Sequence, residues 1–158
     1  MPRPGPPLAL GDHDSRQDVY PVLLYGRKVD VLYFNLRGYR GTLPLPAGSR
    51  LDLGEKKLGA YRAAIRDLNR EWKKVSIWYE VVSSKGERQC FGTDYARAHA
   101  HLKRQRNHHI ERNDQGNWWY TLIEVTLNGG VRHERDVNVY QGEDSCYQMQ
   151  PEFTVVVP

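Results

Sequence analysis

Cysteine is scarce in this 158-residue chain, with only 2 residues, Cys90 and Cys146, far apart and without a C-x-x-C partner. That excludes a disulfide framework and a cysteine-ligated zinc site, and it fits a reducing compartment. No stretch approaches the roughly 20 apolar residues that a membrane span requires, and the N-terminus lacks the apolar core of a secretory signal. The expectation is a soluble, cytoplasmic protein with no membrane partner. Also missing are a P-loop, a G-x-G-x-x-G after a strand, a G-x-S-x-G elbow, and a Cys or Ser with a convincing base. An enzyme built on those motifs is not expected, and no cofactor is implied. Neither sign of charge dominates, since 23 bases against 19 acids leave a net charge of +4, which accommodates an anionic partner without demanding one.

At this length the chain supports one core rather than two. Pro2, Pro4, Pro6 and Pro7, four of the 9 prolines, fall within residues 1–18, which read as a flexible arm before a single domain over 19–158. Val19 to Leu36 alternates apolar and polar residues around Gly26-Arg27, the pattern of a β-hairpin. A Gly/Pro-rich stretch follows, then Asp52 with Glu55 three residues on, spaced as a capping box that should start a helix. Leu58, Tyr61, Ala64, Ile65, Leu68 and Trp72 give that helix one apolar stripe. A strand over 75–82, a turn at Ser83 to Gly86 and a return strand over 88–91 come next. The order then repeats: a helix over 94–112, a strand over 118–127, a turn at Asn128-Gly129-Gly130, and a return over 131–140. The expected architecture is α+β: an antiparallel sheet from the N-terminal hairpin and two αββ units, closed by an edge strand over 153–157.

The second helix carries Arg97, Lys103, Arg104, Arg106 and Arg112 against only Asp94 and Glu111. A basic helix of this kind can track phosphates, with Trp118 as a stacking surface, or can simply form a solvated face. His99, His101, His108 and His109 also lie on it. Neighbours one and two apart diverge on a helix, so no metal site is assigned. In the return strand, Arg132, His133 and Glu134 are the candidates for acid–base cleavage of RNA, although strand alternation sends His133 away from the other two. Reading Asn128 to Gly130 as a three-residue loop puts Val131, Val137 and Val139 in the core with Trp119, Ile123, Val125 and Leu127. Arg132, Glu134, Tyr120 and Glu124 then share the outer face, where cross-strand ion pairing explains them without catalysis. The same alternation turns Trp78 and Trp118 outward, so a protein partner is expected to meet Trp78, Trp118, Tyr120, Glu124, Arg132 and Glu134.

The segments AYRAAIRDLNREWKKVSIWYEVV and NWWYTLIEVTLNGGVRHERDVNVY, each a Trp and a strand after a helix or with a glycine turn, resemble the YezG-type family of bacterial toxin-immunity proteins over roughly residues 58–143. The resemblance implies a small cytosolic α+β protein that neutralises a cognate toxin. The leading expectation is therefore a non-enzymatic protein-binding module, with an immunity-like inhibitor as its narrower form. Nucleic-acid binding through the helix over 94–112 is the alternative, and a structural subunit stitched by the arm and the last strand is a third. The sequence is silent on oligomeric state.

Overall fold

The computed structural model of the chain describes residues 5–149 and 153–155. Its first sheet has the order β1 (Leu8–Leu10), β2 (Val19–Leu24), β3 (Arg27–Asn35) and β4 (Gly38–Arg40). The expected hairpin is its centre, with Leu24 paired to Arg27 around Tyr25 and Gly26, both at positive φ. Part of the stretch read as a flexible arm is ordered instead. Leu8 is buried, and Asn69 of the first helix clamps its backbone, accepting from Leu8 N at 2.6 Å and donating to Leu8 O at 2.9 Å. A three-residue strand is too short to show periodicity, so its order comes from tertiary contact. A small ribbon of β5 (Thr42–Pro44) and β6 (Arg50–Asp52) follows.

Helix α1 (Leu58–Trp72) buries Tyr61, Ile65 and Trp72, as the stripe predicts. Its start differs from the expected capping box: Lys57 holds the cap position without a side-chain bond, and Asp52 accepts from the Gly54 N–H at 2.8 Å. An Asx turn before the helix satisfies Asp52 locally and leaves the helix to begin later.

The two αββ units share one antiparallel sheet, ordered β11 (Phe153–Val155), β10 (Val131–Gln141), β9 (Trp119–Asn128), β7 (Ile77–Ser83) and β8 (Arg88–Cys90). The expected last strand thus forms over 153–155; its residues 156 and 157 lie outside the described ones. Helix α2 (Tyr95–Glu111) is capped by Asp94, whose side chain accepts from Arg97 N at 3.0 Å. One face of this sheet packs Trp78, Ile123 and Val125 against α1 and the first sheet, together with Leu24, Leu32, Leu43, Tyr61 and Trp72. The other packs Val81 and Leu122 beneath Ala98 and Leu102 of α2. Both faces are covered, which explains why Thr121, Leu122, Ile123 and Val125 are all buried instead of alternating. Among the described residues, no helix is long and apolar enough to cross a membrane.

Candidate functional site

The β9–β10 hairpin turns on two residues, not three. Val131 pairs with Asn128, and Gly129 and Gly130 lie between them with φ of 59° and 79°, a turn that needs two left-handed residues. One residue of slip exchanges the faces of the return strand up to Asp136, where a register shift restores the expected facing of Val139 and Tyr140. Arg132, Glu134 and Asp136 therefore sit opposite Leu127, Val125 and Ile123, and all three are buried. The expectation that Arg132 and Glu134 form an outer, partner-facing surface is corrected by this register. Trp78 is corrected too: it is fully buried, and its indole N–H donates to Glu80 at 2.8 Å. The neighbour expected to be buried, Ile77, is the exposed one. Glu124 pairs not with Arg132 but with Arg135, its cross-strand neighbour, at 3.1 Å.

What the inverted register builds is an ion network inside the protein. Glu80 of β7 and Glu134 of β10 face Arg132, which is fully buried. Arg132 also donates to the Leu24 carbonyl at 2.8 Å, tying the two sheets together. Arg88 of β8 bridges both carboxylates, at 2.6 Å to Glu80 and 2.9 Å to Glu134, while Arg27 reaches Glu134 at 3.4 Å. Burial would raise the Glu80 carboxyl, but Arg132 and Arg88 outweigh it and hold it below the usual carboxylate range. Three arginines against two glutamates leave an excess of one positive charge, 3 − 2 = +1. Arg27 is the most exposed arginine of the network, and the largely buried Arg88 lines a cleft.

The cleft has a volume of about 600 Å³ and opens between β3, β6, the β7–β8 turn and α2. Lys28, Arg50, Lys85 and Arg88 line it, with Asp30 and Glu87 as the lining acids. Ser83 shapes the turn by accepting from the backbone N–H groups of Lys85 and Glu87 at 3.3 and 3.2 Å. His101 enters from α2; burial, with Arg104 and Arg50 nearby, pushes its imidazole below the ordinary range. Four cations on separate elements thus face one concavity, a charge arrangement suited to an anion. The proposed basic residues Arg97, Lys103, Arg104, Arg106 and Arg112 are all exposed on α2. They do not form one track: Arg104 lies near His101, whereas Arg106 is held over the Tyr140 ring at 5.4 Å.

At one end of the cleft, Tyr120 joins a chain of polar groups. His109 Nε2 lies 3.1 Å from the Tyr120 hydroxyl, and its Nδ1 lies 2.8 Å from Asp114. The imidazole stacks on Trp118 with ring centroids 4.2 Å apart and 15° between planes. Trp118 is held by its indole N–H, which donates to the Asp114 carbonyl at 2.9 Å. Trp118 is therefore nearly buried under α2, not an exposed anchor. Burial, then the carboxylates of Glu87 and Asp114, push the Tyr120 phenol upward.

The structure does not assemble Arg132, His133 and Glu134 into one acid–base site. His133 sits opposite Thr126, on the other face from its two neighbours, beside a hollow of about 200 Å³ with Glu124 and Arg135. Among the described residues, no three His, Cys, Asp or Glu side chains converge as a metal site. The cleft residues come from segments too distant to signal one another in the sequence, whereas His109 and Tyr120 are only 11 positions apart and are brought together by the turn from α2 into β9. The network did have a signal: Gly-Gly flanked by strand residues marks a two-residue turn, and counting it so turns Arg132 and Glu134 inward. No family model, curated protein or solved structure matches this chain.

Proposed function

We propose that this protein binds single-stranded nucleic acid in the cationic cleft, with phosphates held by Lys28, Arg50, Lys85 and the outer edge of Arg88. The observation that carries this reading is the convergence of those four cations, from β3, β6, the β7–β8 turn and β8, on one concave surface. Counterion release from phosphates supplies sequence-independent affinity. The Tyr120 ring in the same wall offers a face to an unpaired base. A concavity suits a flexible single strand better than a duplex, whose grooves are read by protruding elements. The expected setting is the reducing cytoplasm, where both cysteines remain thiols. Fluorescence anisotropy with a labelled single-stranded oligonucleotide tests the reading: Lys28→Glu and Lys85→Glu weaken binding several-fold, while Lys73→Glu at the end of α1 does not. Equal affinity across the three variants contradicts it.

A second reading, the protein-binding module with an immunity-like role, is favoured by a different surface from the one first expected. The β3–β4 hairpin tip exposes Tyr33, Phe34 and Leu36, with Leu36 83% accessible. Its test is co-purification of a stoichiometric protein partner that Phe34→Ser abolishes; no such partner, or one unaffected by Phe34→Ser, counts against it.

A further inference from the structure

We propose that Asp114, His109 and Tyr120 form a proton relay that makes the cleft an RNA-cleaving site, with the Tyr120 hydroxyl as the catalytic group. The proposal rests on the nucleic-acid reading of the cleft and adds a reaction to it. Asp114 is held in place by the Gly116 N–H, which donates to its Oδ1 at 3.1 Å, and its Oδ2 meets His109 Nδ1. A carboxylate there keeps the proton on Nδ1 and leaves the Nε2 lone pair toward the phenol. Trp118 fixes the ring plane by stacking. Gly142 allows that close packing, because a Cβ there would come within 2.7 Å of the Trp118 indole nitrogen and 2.1 Å of the Gly116 carbonyl. The chain runs from a carboxylate through an imidazole to a hydroxyl at the cleft wall, where Lys85, Glu87, Arg88 and Gln105 also lie. This is the logic of a base-activated hydroxyl.

Burial, with Glu87 and Asp114, pushes the phenol upward, so Tyr120 works by handing protons on. The ribose 2′-OH gives its proton to Tyr120 Oη as the phenol proton passes to His109 Nε2. The 2′ oxygen bonds to the adjacent phosphorus and the bond from phosphorus to the 5′ oxygen breaks. The departing 5′ oxygen, on the far side of the phosphorus, takes a proton from solvent, and the imidazolium, stabilised by Asp114, releases its proton to solvent through Tyr120. One strand ends in a 2′,3′-cyclic phosphate and the other begins with a 5′-OH. No water is consumed, nothing is oxidised or reduced, and the proton count is unchanged. Lys85, which lines the same cleft as Tyr120, is the cation to offset charge on the phosphoryl oxygens. DNA, lacking the 2′-OH, is bound and not cleaved.

The test incubates the full chain with end-labelled RNA and with DNA of the same sequence, measuring binding by anisotropy and products by gel and mass spectrometry. The expected result is RNA cleaved to cyclic-phosphate and 5′-OH ends, with DNA intact. Tyr120→Phe, which keeps the ring, slows cleavage by about 100-fold or more while RNA affinity stays within a fewfold. Asp114 and His109 are positioning residues, so Asp114→Asn lowers the rate and shifts the acid limb of the pH–rate profile. The charged and titratable groups along the relay are His108 beside His109, Arg112 near Asp114, and Glu87 near Tyr120. RNA bound but left whole overturns the relay and leaves the cleft reading standing. Cleavage at an undiminished rate by Tyr120→Phe also overturns it. Failure to bind either nucleic acid overturns the cleft reading, and the relay with it.

Discussion

Replacing Glu80 by Gln removes one charge from the buried network and almost nothing from its shape. The glutamate is fully buried between Arg132, Arg88 and the Trp78 indole. Without it, three arginines face one carboxylate, and the excess inside the protein rises from one positive charge to two. Breaking a buried ion pair from one side costs about 3–5 kcal/mol, a large share of the roughly 5–15 kcal/mol that holds a domain together. At about 2–4 °C per kcal/mol, Tm falls by about 6–20 °C. The pH dependence follows from the depressed carboxyl. The folded value lies below the ordinary 4.5, so the stability Glu80 contributes is fully present above that value. It is lost as pH falls through the lower folded one. The deficit of Glu80→Gln is therefore full at pH 7 and shrinks in strong acid. Urea denaturation followed by circular dichroism at pH 7 and below pH 4 measures both limbs. A variant within about 1 kcal/mol of the parent at pH 7 refutes the argument that this network is an energetically coupled element.

Leu36 occupies a left-handed position, φ 53°, while remaining 83% accessible. Leu36→Gly is expected to stabilise the chain by about 0.5–1 kcal/mol, since a leucine there costs energy that a glycine does not; a loss of stability by chemical denaturation contradicts this. The two thiols differ as well. Cys90 is buried, and burial with Glu80 nearby pushes its thiol well up, whereas Cys146 is exposed. A thiol-reactive dye should label one cysteine rapidly in the native protein and two after denaturation; rapid native labelling of Cys90 by peptide mapping contradicts it.

The α+β architecture was legible in the sequence where a single face is buried. The α1 stripe and the β2 alternation of Val22 and Leu24 each face one core, so periodicity reports them faithfully, whereas in β3 a register shift buries Val29 with Leu32 and leaves Tyr33 exposed. β9 is covered by α1 and the first sheet on one side and α2 on the other, so its own pattern could not settle which face carries partners. The face of β10 up to Asp136 then depended on the turn length, and beyond it on a register shift. Reading Asn128-Gly129-Gly130 as three residues instead of two moved Arg132 and Glu134 from the interior to the surface, and that one step misplaced the candidate site. In β7 the apolar residues Ile77 and Tyr79 suggest the core face, but the strand buries Trp78 and Glu80, the carboxylate accepting from the indole, and leaves Ile77 exposed. The cleft had no local signal, because Lys28, Arg50, Lys85 and Arg88 meet only after both sheets are assembled.

The salt dependence of single-strand binding tests the central claim most directly. If Lys28, Arg50, Lys85 and Arg88 each neutralise a phosphate, the logarithm of affinity falls against the logarithm of salt with a slope of about −2.8. Between 50 and 200 mM salt that is a loss of about 50-fold. Affinity that stays level over this range, or no saturable binding at 50 mM salt, contradicts the assignment of the cleft to nucleic acid.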